Sequence, residues 1–199
     1  MREDELFEKY GWMAERLKSR LSPIRYRHSL GVAYMAAALA MRHRVDYEKA
    51  FLSGLLHDSA KYMSKTEYLE KTAEFGLYTT PVEREAPSLL HPKLGAYLAE
   101  HEFGVTDPEI LSAIRSHTTG RAGMTALEQI VYIADFIEPG RPDLPGIEAV
   151  RDAAFQDLDL ACYLYAKRLV EYLSETDRAV DPATAETMRY YREKLNLKD

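Results

Sequence analysis

The 199-residue chain has a single cysteine, Cys162, so neither an intramolecular disulfide nor a thiolate metal cluster can hold it together. Cys162 lies in the apolar, helix-like stretch LDLACYLYAKRLVEYL, which points to a buried structural thiol rather than a catalytic one. Long hydrophobic runs are missing as well. The longest, VAYMAAALAM at 32–41, is ten residues, well short of the roughly 20 needed to cross a bilayer. Nor is there an excess of basic side chains. The balance of 26 Lys and Arg against 32 Asp and Glu gives a net charge of −6, which excludes a broad basic field for nucleic acid or anionic membrane. A small anionic substrate stays possible, because bound metal ions and a few local cations override the average field inside a cleft. The opening stretch MREDELFEKY is charged and lacks a signal-peptide core, so the expected location is cytoplasmic.

Sustained period-two alternation bounded by hairpin turns is also absent, as are fixed-period repeats and low-complexity tracts. What fills the chain is helical periodicity, and the expected fold is all-α, one domain over residues 1–199. The pattern predicts helices at 3–20, 26–43, 47–61, 65–75, 92–103, 107–117, 125–138, 147–153, 155–174 and 182–195. Ser22-Pro23, His91-Pro92 and Asp181-Pro182 place proline where a first helical turn tolerates it, and Asp46, Thr106 and Thr125 are candidate N-caps. Gly76, Gly104 and Gly120 follow periodic segments, and EPGRPDLPG at 138–146 reads as a loop between packed helices rather than a domain linker. Of the 14 tyrosines, Tyr163, Tyr165, Tyr172, Tyr190 and Tyr191 could line a homodimer interface or sit half-buried in the core; the second reading is favoured.

Six histidines occur. His43 and His101 lie in polar strings and are expected to face solvent. The other four occupy helix ends: His28 opens a helix, His57 and His117 close two, and His91 precedes one. On helical geometry His28 shares the face of Val32, Met35 and Leu39, His57 follows Ala50 and Gly54, and His117 follows Ile110 and Ala113. Asp135, in IVYIADFIEP, has the most apolar setting of any carboxylate. Each imidazole alone could be a hydrogen-bonded core histidine. Four of them pointing inward with Asp58 and Asp135 make a costly core unless a metal is bound, and such a donor set suits Fe, Mn, Co or Zn. His57 and Asp58 would diverge by about 100° around a helix and so could grip one metal from two sides or bridge two. Lys61 would project beside them, toward a phosphate oxygen or as a cation at the helix C-terminus.

RYRHSLGVA at 25–33, GLLHDSAK at 54–61, LLHPKLGAYLA at 89–99, ILSAIRSHTTG at 110–120 and IVYIADFIEPGR at 130–141 together resemble the HD-domain metallophosphohydrolases, and within them the YqeK family. The resemblance covers almost the whole chain. It implies an HD-domain helical bundle, with core motifs at 25–141 and C-terminal helices at 147–195 completing the nucleotide pocket. It further implies an iron-containing enzyme, with one or two ions, that cleaves diadenosine tetraphosphate symmetrically into two ADP by attack of a metal-activated water on a central phosphorus. By matching motif, His28, His57, Asp58 and Asp135 would hold metal. His91 and His117 would hold a second metal or contact phosphate. Asp58, Lys61, His91 and His117 would be the catalytic group. Thr118, Arg141 and the stretch Arg178, Ala179, Val180, Asp181, Pro182 and Ala183 would contact the nucleotide. Asp181 departs from the histidine that many relatives carry before the proline. The expected partner is a small dinucleoside polyphosphate, without nucleic acid or membrane. The rivals are another HD phosphohydrolase activity (nucleotidase, nucleoside triphosphohydrolase or cyclic-dinucleotide phosphodiesterase) and a non-catalytic nucleotide or metal sensor.

Overall fold

The computed structural model describes residues 3–176 and 181–198. Among them are the α-helices α1 (Glu3–Lys18), α2 (Pro23–His43), α3 (Tyr47–Leu56), α4 (Lys65–Glu74), α5 (Pro81–Glu85), α6 (His91–His101), α7 (Pro108–Ser116), α8 (Ala126–Ile137), α9 (Ile147–Ala154), α10 (Leu158–Glu175) and α11 (Pro182–Lys194), with one 3-10 helix (Pro87–Leu90). The described residues form no strand, as expected of an all-α chain. No described helix is long and apolar enough to cross a membrane.

α8 is the axis of the fold. Leu127 to Ala134, Phe136 and Ile137 are all buried, so this helix is apolar around nearly its whole girth and other helices must cover every side. It packs on α2, α3, α7, α9 and α10. Thr125 and Glu128 form a capping box at its start, and Arg121 and Ser112 bond the buried Glu128 carboxylate, which fixes where α8 begins and which way Asp135 faces. One core joins α8 to α2, α9 and α10 through Val32, Leu39, Ile130, Ile133, Val150 and Cys162. A second joins α1, α2, α3, α6 and α7 through Leu17, Phe51, Leu55, Ala96 and Ile114. Each such aliphatic side chain stabilises the fold by about 1.5–3 kcal/mol when fully buried. Cys162 is buried as expected. So are Tyr165 and Tyr191; Tyr163 and Tyr190 pack partly buried against the core, and Tyr172 is exposed.

Several expectations are corrected. The helix predicted over 47–61 ends at Leu56, because the ring of His57 takes the Gly54 carbonyl and the ladder tightens to Ser59 N–H on Leu56 O and Lys61 N–H on Asp58 O. Asp107, not Thr106, caps α7, its carboxylate accepting from Glu109 N–H. α5 and the 3-10 helix are additional; α5 is five residues long, too short to show periodicity, although Thr80, Pro81 and Glu83 carry its capping signal. His43 is half-buried with Nε2 on the Ala154 carbonyl, because α2 runs on to His43 against the end of α9. His101 is exposed and stacks on Tyr97.

Candidate metal centre

Four chain segments deliver histidine to one point, and three use the same device. His57 follows the end of α3, His91 starts α6 after the 3-10 helix, and His117 follows the end of α7. In each, Nδ1 donates to the carbonyl three residues earlier: Gly54 at 2.6 Å, Ser88 at 2.6 Å and Ile114 at 2.7 Å. Helix ends leave carbonyls without intrahelical partners, so the ring and the backbone satisfy each other. The bond assigns the proton to Nδ1 and leaves Nε2 as a bare lone pair facing inward.

His28 lies inside α2, where the carbonyls are already committed to the helix. A side chain 110 residues away does the work instead: Nδ1 donates to Glu138 Oε1 at 3.1 Å. Glu138 is buried and also accepts from Gly140 N–H at 2.5 Å. A Cβ at Gly31 would collide with Glu138 Oε2, so the absence of a side chain there makes the room this carboxylate occupies.

The four rings meet around Asp58, which is 2% exposed. Its Oδ2 faces His57 Nε2 at 3.7 Å and His28 Nε2 at 4.0 Å; its Oδ1 faces His91 Nε2 at 3.4 Å and His117 Nε2 at 3.7 Å. Asp135 Oδ1 lies 2.9 Å from His28 Nε2 and 3.7 Å from His57 Nε2. Arg141 Nη2 donates to Asp135 Oδ1 at 2.5 Å, and Arg25 Nη1 donates to Asp58 Oδ2 at 3.1 Å. The Thr118 hydroxyl donates to His91 Nε2 at 3.0 Å. Lys61 Nζ stands 3.9 Å from Asp58 Oδ1 with the side chain about one-fifth exposed, close enough for its charge and free to reach a ligand.

The electrostatics keep two of the rings neutral and both carboxylates ionised. Burial pushes His57 down to about 4, and burial with the nearby Lys61 charge pushes His91 well below the ordinary imidazole range, so both stay neutral near pH 7. Burial would raise Asp58, but the facing imidazoles, His57 first, together with the Lys61 charge outweigh it and hold the carboxyl well below its usual range. Burial likewise opposes Asp135, and the His28 bond and neighbouring positive charge keep it ionised. His28 moves up: burial lowers it, and the bond and charge of Asp135, with Glu138, outweigh that. Burial lowers Lys61, while Asp58 opposes the shift.

These donors fit a metal ion. Nε2 of His91 and Nε2 of His117 are 3.0 Å apart, and those of His28 and His57 are 3.3 Å apart. Imidazole nitrogens set this close, beside two ionised carboxylates, suit a cation lying among them. Three groups have ligand atoms within 4.8 Å of one another: His28, His57 and Asp58; His57, His117 and Asp135; and Asp58, His91 and His117. The six residues can hold a metal ion with imidazole and carboxylate only, the donor chemistry of Fe, Mn, Co and Zn.

The structure thus brings together His28, His57, Asp58, Lys61, His91, His117, Thr118, Asp135 and Arg141. Asp181 is more distant, capping α11 through Ala183 N–H and lining a cavity with Thr118; Pro182 starts that helix and Ala183 is half-buried in it. Arg178, Ala179 and Val180 lie outside the described residues. Sequence reasoning passed over Arg25 and Glu138, which sit three residues from His28 and Asp135 inside the blocks that carry the resemblance. We expect Glu138→Gln to keep the fold and weaken metal affinity by about 10–100-fold, the usual consequence of losing a carboxylate behind a ligating imidazole. Competition with a chromophoric chelator measures this, and unchanged affinity would refute the role.

Comparison with known proteins agrees with the five blocks. A family model described as HD domain matches residues 25–140. A protein of Bacillus subtilis (strain 168) named bis(5'-nucleosyl)-tetraphosphatase, symmetrical, is 39% identical over 84% of this chain and 89% of its own. One of the same name from Staphylococcus aureus is 39% identical over 89% of this chain and 92% of its own. A solved structure from Clostridium acetobutylicum, described as a predicted HD superfamily hydrolase involved in NAD metabolism, superposes with a TM-score of 0.89 at 34% identity, covering 93% of this chain and 97% of that one. With its histidines and aspartates gathered where the motifs placed them, the chain belongs to the HD domain family and, within it, to the YqeK type.

Proposed function

We propose that this chain hydrolyses diadenosine tetraphosphate symmetrically to two ADP, using iron held by His28, His57, Asp58 and Asp135. The observation that carries the reading is the double aspect of Asp58, whose two oxygens face different histidine pairs, with Lys61 beside the Oδ1 pair. A carboxylate so placed suits one ion or two, and His91 and His117 are donors for the second. The relatives named as symmetrical tetraphosphatases, similar over most of both chains, supply the substrate class. Mn, Co or Zn would be accepted by the same donors.

A metal held by these residues would polarise a phosphoryl oxygen and would lower the pKa of water into the neutral range. The protein's own groups set the rest. Asp58 orients the attacking water and takes part in moving its proton, an expectation consistent with a carboxylate kept ionised amid the rings. Lys61, His91, His117 and Arg141 offset charge on the central phosphates, and Thr118 donates from the same wall. Asp181, with Pro182, Ala183 and the preceding stretch from Arg178, contacts one nucleoside. Symmetry of cleavage is then a matter of register: the nucleotide contacts must place the middle of the polyphosphate over Asp58. The substrate is a free small molecule, and we place the reaction in the cytoplasm.

Product analysis on metal-quantified protein tests this. Two ADP from the tetraphosphate is the expected result; ATP plus AMP, or inorganic phosphate from a mononucleotide, would overturn it. For Lys61→Ala we expect turnover about 10–100-fold lower, the scale of a lost charge-assisted hydrogen bond, with metal content unchanged. Loss of metal in that variant would assign Lys61 to the metal rather than the phosphate.

A further inference from the structure

Among the cavities beside the centre, two touch different halves of it. One, of about 490 Å³, is bounded by Ser88, Thr118, Tyr172 and Asp181, on the side of His91 and His117. The other, of about 510 Å³, is bounded by Ile24, Arg25, Arg27, His28, Glu138 and Arg141. We propose that this second cavity is a separate nucleoside-diphosphate subsite, with Arg27 recognising phosphate and Ile24 covering the base. The inference rests on the symmetrical-cleavage reading. A substrate with two identical ends and its scissile middle at Asp58 must leave the centre in two directions, and the fold has a cavity in each.

The residues of the second cavity suit that ligand. Arg25 and Arg141 are committed to Asp58 and Asp135, so they hold the carboxylates rather than wait for substrate. Arg27 is exposed at the same mouth and makes no hydrogen bond or ion pair among the described residues, which leaves its guanidinium free for a phosphate. Ile24, on the first turn of α2, is 71% exposed and so presents apolar surface at the cavity mouth. It lies three residues before Arg27, on the same side of the helix, so an apolar surface and a cation stand together as a purine nucleotide requires. Its size is within the range of ordinary ligand pockets, about 300–1,000 Å³. A solvated Arg27 and an idle Ile24 would be the alternative, and it predicts no effect of either.

The test uses full-length, metal-loaded protein and ADP as the probe. Calorimetry is expected to give two ADP per chain for the wild type and one for Arg27→Glu and for Ile24→Asp. Both variants should retain the wild-type helical circular dichroism and show kcat/KM for diadenosine tetraphosphate about tenfold lower or more, through KM rather than kcat, as a lost charge-assisted contact predicts. One ADP per chain in the wild type, or both variants matching the wild type in KM, would overturn the subsite. If two ADP are still the products in that case, only the subsite falls; if the products differ, the functional reading falls and the subsite with it.

Discussion

Asp58→Ala is expected to give a folded, helical protein with no stoichiometric metal and with hydrolysis reduced by on the order of 10³-fold or more, the scale on which a preorganised charge acts in a water-poor site. The carboxylate faces both histidine pairs, one with each oxygen, so its loss removes a donor from each side at once. The fold survives for an electrostatic reason. Asp58 raises the proton affinity of His57 and His91, so without it both rings are still more firmly neutral and no uncompensated charge is buried among them. Arg25, partly exposed, can turn to solvent. Circular dichroism, metal analysis and the ADP assay on one preparation check the three parts. Retained turnover in metal-quantified Asp58→Ala would sink the site assignment.

The largest effect on stability is expected from Gly54→Ala. A Cβ at Gly54 would stand 2.8 Å from Ala33 Cα and 2.9 Å from Val32 O. Both are main-chain atoms of α2, so no side chain can rotate aside and the two helices must separate. Overpacking of this kind costs about 1–3 kcal/mol, and rigid backbone on the far side places this site at the upper end. For a chain of this size that corresponds to a Tm lower by about 6–12 °C. Because the same crossing sets His57 Nε2 at 3.3 Å from His28 Nε2, metal affinity should fall with it. Thermal unfolding and chelator competition measure the two losses, and an unchanged unfolding midpoint would show that α2 and α3 yield more easily than this geometry allows.

Sequence reasoning found the architecture because α2 and α10 are long and periodic, and it singled out candidate ligands because four inward histidines with two carboxylates make a costly core. What it could not see follows from how helices end. The helix was expected to run through His57 to Lys61, yet the His57 ring competes for the Gly54 carbonyl and stops the ladder at Leu56. That competition depends on a ring direction, which periodicity does not encode. Arg25 and Glu138 were passed over for a related reason. Each is an ordinary charged residue at a helix start or end, and only a contact across the fold, from Arg25 to Asp58 or from Glu138 to His28, gives it a role. The segment at 81–90 escaped notice because a five-residue helix and a 3-10 turn carry capping signals but no repeat.

The carbonyl brackets also bear on how such a site withstands sequence drift. His57, His91 and His117 are aimed by main-chain oxygen, which every amino acid supplies. Substitution at Ser88 or Ile114 changes the packing and leaves the bracket in place. His28 has no such insurance, since its orientation hangs on the side chain of Glu138 and on two glycines that leave it room. Beyond Asp58 and the Gly54 crossing, mutational fragility in this centre falls on Gly31, Glu138 and Gly140, where one codon change can misdirect the His28 ring without touching any of the four histidines.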